Sequence, residues 1–454
     1  MQVTTEQPRP SGAAAGTFIR KGFWAVLDQG LFSIANYMVV SLLLARWLSQ
    51  RDYGAFVTAF SAFLLLGVIH TALLTEPLLV FAPGRYRENL QKYLGTLLRG
   101  HIVVSGLGSL LLALCALVFL FMKQNVLAWA FFCFALTGHF TLFLWLMRRA
   151  CYARMNPRRA AFAGIGYLVL MVAGLVAMHM LNAISIGSAL AVMAVSSLIV
   201  GLCLALTGDT LHFRGITGAL IRDVIVEHWH YTKWCLPTAL LIYVPGNFFY
   251  FLLPAMANLE QCAALKAMSN PFLPVGQANT ALCLLLLPVF VRARGTHDSK
   301  KIHRMSLLVL AGGPIIYWLL IGVFNHPIIH LMYDDKYDKY SYLVWILGLQ
   351  QVISAFCGVY SSLLRAHQKL AAVFWAGVVS AVSAVVLGVI MFRLWGLTGV
   401  CWSVVISYGL HHLTLWLFSR EVHSNEAAIK PLSSLEVAAD HKSQGPALGE
   451  PAAA

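Results

Sequence analysis

NYMVVSLLLARWLSQRDYGAFVTAFSAFLLLGVIHTALLTEPLLVFAPG, residues Asn36 to Gly84, decides the fold, because a gapless echo of it returns 211 positions later. Asn36 falls on Asn247, Leu48 on Leu259, Gln50 on Gln261, Leu73 and Leu74 on Leu284 and Leu285, Pro77 on Pro288, and Gly84 on Gly295. Matched leucines carry little weight in an apolar chain. The Asn, Gln, Pro and Gly matches carry more, since each is a poor or conformationally special choice inside an apolar helix. A looser echo pairs Arg149-Ala150 with Arg365-Ala366, each between an apolar span and an Ala-rich one. The chain reads as two similar halves.

Composition sets the environment of those halves. The 454 residues are 59% hydrophobic and 11% charged, far from the roughly 25% charged residues of soluble domains. Windows of about 20 apolar residues, enough to span a bilayer as helices, number twelve. They lie near 24–45, 54–80, 98–122, 126–147, 160–180, 184–206, 236–256, 272–291, 305–324, 342–364, 371–392 and 397–418. The fold expected is an all-α polytopic membrane protein with about twelve transmembrane helices in two six-helix lobes. Residues 1–22 are polar, and Arg20 and Lys21 lead into a span too long for a signal peptide, so the first helix is expected to be permanent.

Orientation follows from basic residues, which accumulate on the cytoplasmic side. The N-terminus and every second connection together hold 25 of the 32 Lys and Arg residues; Arg46, Arg51, Lys123, Lys266, Lys336, Lys339 and Arg393 fall on the other side. Both termini are therefore expected in the cytoplasm. This distribution accounts for the formal net charge of +14 without nucleic acid as a partner. The nine cysteines show no paired or Cys/His ligand spacing, so neither a metal site nor a cofactor is expected from them.

The organisation expected is a cytoplasmic segment 1–22, an N-lobe 23–206, a linker 207–235, a C-lobe 236–418, and a disordered cytoplasmic tail 419–454. In the linker, Leu220, Ile221, Val224, Ile225 and Trp229 alternate with Arg222, Asp223, Glu227 and His228. That spacing suits an interfacial amphipathic helix, with a plain polar connection as the alternative. Two halves of six helices share one orientation, as in transporters built from parallel repeats. Pro237, Pro245 and Pro254 make the seventh span the expected hinge.

Three stretches resemble one family. Leu42 to Leu66 (LLLARWLSQRDYGAFVTAFSAFLLL) resembles the first hairpin of bacterial polysaccharide exporters in the multidrug/oligosaccharidyl-lipid/polysaccharide superfamily. His326 to Gln350 (HPIIHLMYDDKYDKYSYLVWILGLQ) is similar to their connection between helices nine and ten, and Arg393 to Leu410 (RLWGLTGVCWSVVISYGL) to the start of their last helix. The resemblance implies a Wzx-type flippase rather than an enzyme, in a bacterial inner membrane. It would translocate an undecaprenyl-pyrophosphate-linked oligosaccharide for O-antigen, capsule or exopolysaccharide synthesis, alongside other polysaccharide-assembly membrane proteins. A multidrug exporter of the same superfamily and a membrane oligosaccharide polymerase or ligase are the alternatives. The last would require a catalytic external loop, whereas the longest external connection, 325–341, is under twenty residues.

Mechanistic candidates follow from polar residues at membrane depth. Asp28 and Glu76 are the two acidic residues inside the windows; ionisable groups there face protein or water and bind coupling cations or pair with basic neighbours. For Asp28 and Glu76 the basic neighbours in reach are Arg20, Lys21 and Arg99. Asn36 and Asn247, at matching positions of the two halves, offer donors and acceptors to sugar hydroxyls or to neighbouring helices. Gln277, Asn279, Gln350 and Gln351 extend that polar set. No Lys or Arg is expected at mid-span, which leaves Arg99 and Arg365, at span ends, to meet a pyrophosphate.

Overall fold

The structure, a computed structural model, describes residues 24, 27–28, 30–31, 33–34, 40–208, 215–293 and 299–443. Among them it is helical throughout, without a strand: α1 (Val40–Trp47), α2 (Gln50–Phe81), α3 (Leu90–Phe121), α4 (Asn125–Ala153), α5 (Pro157–Met180), α6 (Ile186–Thr207), α7 (Gly218–Asn247), α8 (Phe249–Met256), α9 (Leu259–Ala293), α10 (Ser299–Val323), α11 (Asn325–Tyr333), α12 (Leu343–Ala366) and α13 (Leu370–Ser443). Nine of these helices are long and apolar enough to cross a membrane.

Local chemistry explains where they begin and turn. Ser49, Ser185, Thr217 and Asn258 cap α2, α6, α7 and α9, each side chain accepting a backbone N–H of the first turn. At the corners Lys123, Met155, Asn182 and Gln368 take positive φ between 52° and 59°, and the following N–H groups reach back to the last carbonyls, as Gln124 does to Phe119 O. These single-residue reversals allow very short connections between antiparallel neighbours.

The expected windows keep their order, with different boundaries. α7 and α8, counted together as one crossing, are bent by 48° at Phe248, and Pro245 and Pro254 remove helical N–H groups on either side of the bend. α13 is continuous by hydrogen bonding, but Trp395 (φ −133°, ψ 15°) and Gly396 (φ 57°, ψ −137°) leave helical conformation. His411 Nδ1 lies 3.0 Å from Ala376 O, so the arms on either side of Gly396 run back along each other. Nine helices, the bent pair and the second arm of α13 make eleven crossings among the described residues; the window 24–45 is described only in part.

Four boundaries move. α4 runs to Ala153, past the expected end at 147, because no helix breaker interrupts Met147 to Ala153. α9 starts at Leu259 instead of 272, since Asn258 supplies a cap that the charged residues Glu260 and Lys266 had obscured. α7 is one helix from Gly218, so the amphipathic segment of the linker is the first half of the seventh span helix, with Ile225 and Trp229 exposed. α13 continues as helix to Ser443, beyond Phe418.

The α2–α4 core is aromatic: Phe56, Phe60 and Phe63 each pack on Phe134 at centroid distances of 5.8, 5.9 and 5.4 Å. Helices α2 to α6 pack chiefly on one another and α9 to α13 likewise, with α2 meeting α7 and α9 across the divide.

Candidate functional site

Asp28 lies in the partly described first span, with no solvent exposure. Its Oδ2 is 2.8 Å from Arg148 Nη2, its Oδ1 accepts from Arg148 Nε at 3.2 Å, and Tyr152 donates its hydroxyl to Oδ2 at 2.6 Å. Gly164 leaves the room, since a Cβ there would stand 3.4 Å from Oδ1. Among the described residues the partner is thus Arg148; Arg20 and Lys21 lie outside them. The continuation of α4 to Ala153 keeps Arg148 on the helix and buried near its end, so a basic residue meets Asp28 although none lies at mid-span. The early start of α9 also puts Lys266 on the helix near its beginning, half-buried, its ammonium 5.7 Å from the Tyr250 ring. A charge that truncates an apolar window hides the helix continuing beneath it.

Glu76 is half-buried and follows a π-helical turn, Thr71–Thr75, in α2. Such a turn frees carbonyls that an α-helix would satisfy, and α7 uses them. Thr232 Oγ1 donates to Ala72 O at 2.8 Å, and His228 Nδ1 lies 2.7 Å from Leu73 O. A carbonyl only accepts, so Nδ1 carries the proton; Nε2 of the neutral ring then accepts from the Tyr93 hydroxyl, 2.8 Å away. Near the same turn His70 Nε2 and His101 Nδ1 are 3.0 Å apart, both buried. Glu76 faces Tyr231 and Cys235 of α7. The turn therefore joins α2, α3 and α7.

The polar candidates separate into groups. Gln277 accepts from Ser33 Oγ at 3.2 Å, tying the first span to α9. Gln351 approaches from α12, its Oε1 3.4 Å from where a Cβ of Gly276 would stand, and Asn279 Nδ2 lies 3.9 Å from the equivalent point on Gly358. Gln277, Asn279 and Gln351 thus collect where α9 meets α12, while Gln350 bonds the Tyr408 side chain. Asn247 is half-buried and donates to Tyr243 O at 3.2 Å within its own helix; Asn36 lies outside the described residues. Arg99 and Arg365 are exposed.

One end of the divide is sealed by a latch that the sequence did not single out. Arg46, at the end of α1, places Nη2 2.9 Å from Asp334 Oδ1 and donates from Nη1 to Leu331 O at 3.2 Å. Lys336 donates to Leu48 O at 2.8 Å and also to Arg46 O, and Gln50 donates to Lys336 O. Asp334 holds φ 55°, ψ −154°, a conformation that costs a non-glycine residue energy and persists when its surroundings hold it. Beneath the latch a Cβ on Gly54 would stand 1.9 Å from Leu259 O, so only glycine lets α2 and α9 cross there. Asn270 Nδ2 then donates to Tyr53 and Tyr333 hydroxyls, both at 3.2 Å.

No protein-family model matches the chain, and no curated protein does. Among solved structures it is similar to an inward-facing multidrug resistance MATE family transporter of the MOP superfamily, with TM-score 0.70 and 13% identity over 88% of this chain and 96% of that one. It is similar to the lipid II flippase MurJ in an inward closed conformation, with TM-score 0.63 and 12% identity over 95% and 94%. An outward-facing MATE family transporter aligns with TM-score 0.61 and 12% identity over 91% and 96%. At such identities the likeness is one of fold, and the fold of this chain is the MATE-like arrangement that these transporters share.

Proposed function

We propose that this chain is an alternating-access membrane flippase for a lipid-linked, pyrophosphate-bearing oligosaccharide, working in a bacterial inner membrane with both termini cytoplasmic. The observation that carries the reading is the asymmetric divide: a charged latch and close helix crossing at one end, and a polar α9–α12 surface at Gln277, Asn279 and Gln351 deeper in. A glycan head cannot enter hydrocarbon without losing its hydrogen bonds to water, whereas its lipid tail has no need to leave it. A divide lined by amides that opens at one end at a time meets both conditions. MurJ, a lipid II flippase by name, has the same fold, which supports this substrate class.

In this reading Asp28 is the coupling carboxylate, its charge exchanged between Arg148 and an incoming proton or sodium ion. Glu76 senses the same movement through the α2–α7 contact. Arg99 and Arg365 are placed to meet the pyrophosphate at the span ends.

The test is the fate of the substrate in cells lacking the protein. Complete oligosaccharide-lipid units should collect in the inner leaflet, inaccessible to an external glycan-binding probe. Units exposed outside would overturn the flippase reading. The second reading, a multidrug exporter, is favoured by the buried acidic residue Asp28 and the MATE neighbours; under it the glycan lipids would be unchanged and accumulation of cationic dyes would rise.

A further inference from the structure

We propose that His326, His330, Asp335 and Asp338 form a binding site for a divalent transition metal of the zinc type, on the latch end of the molecule. His326 and His330 are four residues apart in α11 and so share one face; their rings lie parallel within 7°. The 3-10 turn Asp334–Tyr340 folds back beneath them. It brings Asp338 Oδ2 3.6 Å from His326 Nε2 and 3.4 Å from His330 Nδ1, with Asp335 Oδ1 3.2 Å from His330 Nδ1.

For His330, Asp335 and Asp338 those separations are close to the edges of a coordination polyhedron, and His326 reaches the same group through Asp338. Ligands bonded at about 2.0–2.1 Å in a tetrahedron stand roughly 3.3–3.4 Å from one another. The donor atoms of His330, Asp335 and Asp338 all lie within 4.8 Å of each other. Two imidazoles with two carboxylates suit zinc and its first-row neighbours, while calcium and magnesium favour oxygen alone. No cysteine takes part, which is why cysteine spacing did not point here.

A second observation concerns the acceptors. Asp338 Oδ1 is buried without a hydrogen-bond partner among the described residues, and both imidazoles converge on the other oxygen. A cation satisfies such a carboxylate while leaving both imidazoles neutral. The two ammonium groups of the same turn have other partners, Lys336 on Leu48 O and Lys339 over the Tyr340 ring at 4.8 Å.

The turn that supplies Asp335 and Asp338 also supplies Asp334 and Lys336 to the latch. Metal binding would fix that turn and hold the two halves closed at this end; this consequence rests on the alternating-access reading, whereas the site itself does not.

The full chain, purified in detergent with a tag free of histidine, should be titrated with zinc against a chromophoric chelator. One zinc per chain is expected. Loss of an outer partner alone lowers metal affinity about 10–100-fold, so His330→Ala should weaken binding by at least that factor and Asp338→Asn should weaken it too. The conservative His330→Asn, checked for a monodisperse elution profile, guards against misfolding. Zinc should raise the thermal midpoint of the wild type and leave that of His326→Ala with His330→Ala unmoved, while calcium should move neither. Absence of stoichiometric zinc binding, or unchanged affinity in the folded double variant, would overturn the site whatever the substrate proves to be.

Discussion

Arg148 holds its guanidinium 2.8 Å from the Asp28 carboxylate, at 7% and 0% exposure, and so ties the first span to the far end of α4. Removing one partner of a buried pair leaves an uncompensated charge, at a cost of about 3–5 kcal/mol, whereas replacing both by apolar residues is often neutral. Asp28→Asn should therefore lower the thermal stability of the purified protein as well as transport. Asp28→Leu with Arg148→Met should recover the stability and stay inactive. Full transport in that double variant would remove Asp28 from the coupling mechanism.

The Gly54–Leu259 crossing gives a conformational prediction. Gly54→Ala puts a methyl group against a backbone oxygen 1.9 Å away, and such overpacking costs about 1–3 kcal/mol. The crossing should loosen and expose Cys262, which is fully buried 3.5 Å from Thr58 Oγ1. In a background retaining Cys262 as its only cysteine, maleimide labelling should be faster for Gly54→Ala than for the parent. Gly106→Ala, where no atom lies within 4 Å, should label at the parent rate. Equal rates in all three would show that the crossing adapts.

These two cases mark what the sequence makes legible. Helix number and lobe pairing follow from apolar length and from the repeat, because a bilayer leaves a chain few options. The ion pair is harder to see, since Arg148 stands just past the end of its apolar window; a helix boundary in a membrane is set by capping, not by the first charge. The latch was illegible for another reason: Arg46 and Asp334 are 288 positions apart, and no periodicity reports which loops meet.

The Arg46–Asp334 pair should contribute little stability but more bias. Its side chains are 42% and 64% exposed, and exposed pairs are worth about 0.2–1 kcal/mol. A double-mutant cycle on thermal stability should return a coupling in that range. The closed population should still fall in Arg46→Glu, read as faster Cys262 labelling, and recover in Arg46→Glu with Asp334→Arg. A swap that fails to recover would mean that the Leu331 and Lys336 contacts hold the latch without this pair.

The π-helical turn of α2 depends on α7 for its carbonyl partners. Thr232→Val removes the donor to Ala72 O and leaves a buried acceptor, at a cost of about 1–3 kcal/mol. His228→Phe should cost a similar amount, because it strands both Leu73 O and the Tyr93 hydroxyl. The two effects should be less than additive in thermal unfolding, as both loosen one interface. Strict additivity would mean that the π turn persists without α7.

The polar α9–α12 surface makes the prediction nearest to substrate. Gln277 and Gln351 sit half-buried on facing helices, and Gln277 also accepts from Ser33. If their amides serve a glycan head, Gln277→Leu with Gln351→Leu should keep the fold at a cost of about 1–3 kcal/mol, the penalty for leaving the buried Ser33 hydroxyl without its acceptor. Transport should fall sharply, since each lost hydrogen bond to a neutral partner is worth about 0.5–1.5 kcal/mol and a sugar head engages several. The measurement is accessibility of the lipid-linked glycan to an external probe in cells carrying the variant at wild-type abundance. Single variants should lie between the wild type and the double. Wild-type export by the double variant would move the glycan path away from this surface, and the latch would then be guarding a different cavity.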